Sequence, residues 1–87
     1  MNDPLASLRT RFLARASDDL ASLRGGIEAE AAGVLVHRLS GAAGVFGFDE
    51  LSRLAGAVDD RRQAGQPYAA EMAALLRELE SVCLTHG

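Results

Sequence analysis

The chain has 87 residues, 48% of them hydrophobic, with two prolines and no tryptophan. That length and apolar content exclude a disordered chain and suit one small domain over residues 1–87, packed around a mostly aliphatic core. Nine arginines, no lysine and twelve acidic residues leave a net charge of −3, and no basic run exceeds Arg61-Arg62, so nucleic acid and anionic membranes are not expected partners.

In chain order, Asn2 or Asp3 can cap a first helix with Pro4 at its first position. Leu5, Leu8, Phe12, Ala16, Leu20 and Leu23 then recur at spacings of three and four, predicting a helix to about Arg24. Gly25-Gly26 stops it, and Glu28 and Glu30 suit the positive end of a second helix that ends near Phe46, with Gly47 as a left-handed residue after it. Asp49 is the candidate cap of helix three, in which Leu51, Leu54, Ala55 and Val58 face inward and which frays past Arg62 towards Gly65. Pro67 starts helix four, with Tyr68, Met72, Leu75, Leu76, Leu79, Val82 and Cys83 as its stripe. Short connections force neighbouring helices to run antiparallel, so the expected architecture is all-α, an up-down-up-down four-helix bundle.

Helix two holds the unusual chemistry. At 100° per residue, Ala31, Ala32, Leu35, Leu39, Ala42 and Phe46 share an apolar stripe, whereas Gly33, His37, Ser40, Gly41 and Gly44 fall on the opposite side. Each interior glycine costs about 1 kcal/mol relative to alanine. A surface helix ordinarily surrounds a histidine with Glu, Lys, Gln or Arg, but here its helical neighbours are small, as if something must approach it closely. A neutral imidazole has one ring nitrogen with a free lone pair and can act as a nucleophile.

The segment His37-Arg38-Leu39-Ser40-Gly41, with Phe46-Gly47 following and Leu51 in the next helix, resembles the signature of histidine-containing phosphotransfer domains. The usual form of that signature is His-x-x-Lys-Gly with a second glycine six residues on. Four helices with the histidine midway along the second match that family too. The resemblance implies that His37 accepts a phosphoryl group from the aspartate of a receiver domain and passes it to another. The partners would be response-regulator receivers or the receiver of a hybrid histidine kinase. It also implies that Mg2+ and the acidic pocket belong to the receiver, so this chain needs no cofactor. Gly41, one turn beyond His37, would leave room for the phosphoryl group and the partner's loops, with Gly33 and Gly44 extending the bare face. Where the family has lysine this chain has Ser40, which can donate one hydrogen bond but brings no charge. Arg38 lies about 100° around the helix from His37 and would have to curl across the face to help; Arg53 is a further source of positive charge.

Other candidates carry less. Cys83 and His86 have a Cys-x-x-His spacing, but structural zinc takes four ligands, so no metal site is expected. Asp18-Asp19 and Asp59-Asp60 read as solvated faces, and Tyr68 as a cap on one end of the core with its hydroxyl in water. A lone cysteine forms no internal disulfide, and without a signal peptide or long apolar span the expected location is the cytoplasm. A monomer rather than a dimer is expected, and a chain this short has no ATP-binding domain and no kinase activity of its own. The alternative function is a non-phosphorylated adaptor that binds a receiver or kinase through the face around His37, Val34 and Val45.

Overall fold

A computed structural model describes residues 3–86. Four helices follow in order: α1 (Pro4–Arg24), α2 (Ala29–Val45), α3 (Asp49–Gln63) and α4 (Ala69–His86). No strand occurs among the described residues. Each helix packs on its sequence neighbours and α4 closes back on α1, with the most extensive contact between α2 and α3. The result is the antiparallel up-down-up-down bundle that short connections require.

Local signals place most boundaries. Asp3 caps α1 by accepting a hydrogen bond at Oδ1 from the Leu5 N–H at 3.0 Å, with Pro4 behind it; Asn2, the other candidate cap, lies outside the described residues. The first three helices end in one way. In the loop after α2, the Phe48 N–H donates to the Ala43 carbonyl at 2.9 Å and the Gly47 N–H to the Gly44 carbonyl at 3.2 Å. This pairing requires a left-handed residue at Gly47, whose φ is +82°. Gly26 and Gly65 close α1 and α3 with the same pair of bonds.

Three expectations are corrected. Asp49 is the first residue of α3 rather than its cap; Phe48 holds the cap position and no side chain caps the helix. Helix four begins at Ala69, two residues beyond Pro67, and the Met72 N–H donates to the Tyr68 carbonyl at 2.8 Å, so Pro67 and Tyr68 lead into the helix. Leu5 and Leu8 are 59% and 45% exposed, because every residue from Pro4 to Arg11 lies outside the packed part of the bundle.

The core is built from Phe12, Ala16, Leu35, Val36, Leu39, Ala43, Leu51, Ala55, Val58, Leu75, Leu79 and Val82. On α2 the buried arc is rotated towards α3 relative to the predicted stripe. Val36 and Ala43 are buried, Ala31 is exposed, and Ala42 and Phe46 are half-buried. The cause is α3, whose small residues let it lie close against α2 and cover a side that the sequence pattern leaves outside.

Candidate functional site around His37

His37 sits at the middle of α2, and its side chain is 70% exposed. Its Nδ1 lies 2.7 Å from Oδ2 of Asp59 on α3. Asp59 is buried and receives two further hydrogen bonds: Gln63 Nε2 donates to Oδ2 at 2.9 Å, and an Arg62 guanidinium nitrogen donates to Oδ1 at 3.3 Å. The hydrogen bond from His37 is the main force holding the Asp59 carboxyl below its ordinary value. Those from Gln63 and Arg62 add to it, and together they outweigh burial.

This geometry fixes the chemistry of the ring. An ionised carboxylate only accepts hydrogen bonds, so the hydrogen shared with Asp59 must reside on Nδ1. In the neutral ring the lone pair is then on Nε2. His37 is thus oriented and tautomerically set by a neighbour that stays ionised, and its free nitrogen belongs to a largely exposed ring. Gly41, one turn on, has open space where a Cβ would be, and Val34 and Val45 flank it at 68% and 77% exposure. The surface beside Nε2 is therefore bare and partly apolar.

The remaining predicted site residues are not all on that surface. Gly33 is buried under the Arg62 guanidinium, where a Cβ would come within 2.6 Å of Arg62 atoms. Gly44 faces Ser52, whose Oγ would be 3.3 Å from an added Cβ. Ser40 is half-buried against α3: its Oγ lies 3.5 Å from the Ser52 carbonyl, while Ser52 Oγ donates to the Ser40 carbonyl at 2.7 Å. The Ser40 hydroxyl is thus turned towards α3. Arg38 is drawn to α1, where it donates to Asp19 Oδ1 at 2.9 Å. Arg53 is exposed and held in two hydrogen bonds to Glu50, at 2.7 and 2.6 Å.

Asp59, Arg62 and Gln63 were missed in the sequence, and the reading of Asp59 and Asp19 as solvated is corrected: they are 6% and 7% exposed. The signal for Asp59 lay in its register, since Leu51, Ala55 and Asp59 succeed one another at four-residue spacing and the first two are fully buried. A carboxylate on that stripe needs a partner. Of the Cys83 and His86 pair, Cys83 is half-buried and His86 stands edge-on to the Phe48 ring at 5.2 Å. Among the described residues no group of three or more His, Cys, Asp or Glu is placed to hold a metal ion, and no helix is long and apolar enough to cross a membrane.

A family model described as Hpt domain matches residues 7–84, nearly the whole chain. Comparisons with curated proteins and with solved structures give no match.

Proposed function

The chain belongs to the Hpt domain family, and from that membership we propose that it is a phosphoryl carrier in a multistep two-component phosphorelay, with His37 as the acceptor. Membership supports the histidine-phosphotransfer role in general; the assignment to His37 rests on one observation, the hydrogen bond from its Nδ1 to buried Asp59, which leaves Nε2 as the free nucleophile on a largely exposed ring.

In the proposed step the Nε2 lone pair forms a bond to phosphorus. The bond from phosphorus to the receiver's aspartyl oxygen breaks, and its electron pair returns to that carboxylate. Positive charge developing on the ring is met by Asp59 through the Nδ1 hydrogen. Onward transfer runs the same events in reverse towards a second receiver. The receiver supplies Mg2+ and the acidic pocket, and this chain supplies the nucleophile and the docking surface of Gly41, Val34 and Val45. The proposed partners are response-regulator receivers and the receiver of a hybrid histidine kinase, met in the cytoplasm by a monomeric carrier.

The test is transfer from a phosphorylated receiver to the purified protein. Label that is alkali-stable and acid-labile is expected on wild type and absent from His37→Gln, whose circular dichroism should be unchanged. Label retained by His37→Gln removes the assignment. A second reading, the adaptor that binds a receiver without being phosphorylated, is favoured by Ser40, which stands in the lysine position and is turned towards Ser52. Receivers that bind the protein but transfer nothing to it would select that reading.

A further inference from the structure

Resting on His37 as the acceptor, we propose that Asp59 is a positioning residue that keeps phosphorylated His37 short-lived, so that the domain hands its phosphoryl group on rather than storing it. The contact that prepares the ring for attack also prepares it to leave.

When the Nε2–P bond breaks, its electron pair returns to Nε2. If Nδ1 carries a proton, the departing group is neutral imidazole; if Nδ1 is bare, it is an imidazolate anion, a far poorer leaving group. The fate of the phosphoryl group therefore turns on one proton. Asp59 Oδ2 lies 2.7 Å from Nδ1 and holds the proton there by a charge-assisted hydrogen bond. Phosphorylation at Nε2 leaves that contact free to persist, because Asp59 is independently fixed by Gln63 and Arg62 on its own helix. The phosphoryl group then departs from a ring whose Nδ1 proton Asp59 has retained.

The donors that the sequence offers to restrain it are directed elsewhere. The Ser40 hydroxyl faces the Ser52 carbonyl at 3.5 Å, Arg38 is paired with Asp19 and Arg53 with Glu50. Of the elements packed on α2, α3 presents Asp59 with Arg62 and Gln63 behind it, and α1 presents Asp19, taken up by Arg38. Glu30, two turns back on α2 itself, is exposed and adds only negative charge. Arg62 belongs to this network, but it anchors Asp59 and lies over Gly33.

The purified protein is charged with phosphoramidate, the donor is removed, and loss of the phosphoryl group from His37 is followed by phosphorus NMR across pH 6 to 9. Asp59→Asn, which keeps the shape and loses the charge, should decay about fivefold more slowly, the margin between a charged and a neutral acceptor. Its fast decay should also fade at lower pH than in wild type, a shift that a purely structural role would not produce. Asp59→Glu should restore rapid decay. A measurement on wild type alone guards against a variant that fails to fold: at one pH above 7, decay should be faster in the native protein than in urea, where Asp59 no longer meets the ring. Equal lifetimes and pH profiles in wild type and a folded Asp59→Asn would overturn the proposal and leave the carrier reading intact, as would equal decay in native and unfolded protein. Failure of wild type to take up label from phosphoramidate or from any receiver would sink the carrier reading, and this proposal with it.

Discussion

Asp19 and Asp59 are both buried carboxylates, yet they respond to burial in opposite directions. Burial dominates at Asp19 and raises its carboxyl above the ordinary value despite Arg38, whereas hydrogen bonds dominate at Asp59 and lower it. The signs for stability follow. Asp59 contributes stability that is fully present above its unfolded value of about 3.8 and is lost as pH falls through its lower folded value. Asp19 carries a cost while ionised, and that cost is relieved as pH falls through its raised folded value towards 3.8. Asp59→Asn should therefore flatten the acid limb below that pH in a urea-denaturation series, while Asp19→Asn should flatten the fall in stability as pH climbs above it. Arg38→Ala leaves Asp19 buried without its partner and should cost about 2 kcal/mol at pH 7, with a smaller loss at pH 4, where Asp19 can take up a proton. An equal loss at both pH values would mean that Arg38 stabilises through packing rather than charge. His37 itself was legible in the sequence because a histidine surrounded by glycines breaks the pattern of an ordinary surface helix. Asp59 was not, because an aspartate beside Asp60 and Arg61 looks like any charged helix face until the register of α3 is known.

At the scale of elements, the glycines of α2 divide between two tasks that sequence periodicity cannot separate. Gly33 and Gly44, with Ser40, meet α3, where Ser52 and Gly56 answer them; Ser40 Oγ is only 3.5 Å from where a Gly56 Cβ would be. Helical periodicity gives one angle per residue but not the width of the arc a neighbouring helix covers, so Gly33 and Ser40 read as exposed although one is buried and the other half-buried, while Gly44 stays exposed beside Ser52. Gly41 alone of the three has open space around it. Gly41→Ala should consequently raise stability by about 1 kcal/mol, the ordinary gain of alanine over glycine in a helix. Gly41→Arg should keep the fold and weaken binding of the proposed receiver partner about tenfold or more through steric conflict; affinity unchanged in a titration would remove Gly41 from the proposed docking surface. Gly33→Ala behaves differently. The new methyl displaces the Arg62 guanidinium, so the helical gain is offset by a loosened Asp59, and a melting temperature close to wild type should accompany an altered phosphoryl lifetime.

Across the whole molecule, the fold was legible because three loops carry the same closing glycine and each helix carries its own stripe, signals local enough to survive without knowledge of packing. The extent of the bundle was not, because a stripe such as Leu5, Leu8 and Phe12 records helical phase and not whether a neighbour is present to cover it. The molecule spans 47 by 22 by 19 Å, and α1, at 21 residues or about 31 Å long, begins two turns outside the packed region. Phe12 marks the boundary. It is 8% exposed and lies 5.4 Å from both Phe46 and Phe48, with Phe48 in turn against His86. This aromatic cluster ties α1 to the loop between α2 and α3 and to the end of α4. Removing residues 1–8 deletes the Asp3 cap and exposed side chains but leaves the cluster whole, so it should cost about 1 kcal/mol and lower the melting temperature by about 4–8 °C. Phe12→Ala removes one side chain and keeps every helix, yet should cost about 3–5 kcal/mol and several times that drop in temperature. Thermal denaturation of the two variants side by side distinguishes the cases: a truncation as damaging as Phe12→Ala would mean that the first two turns of α1 hold the bundle together, contrary to their exposure.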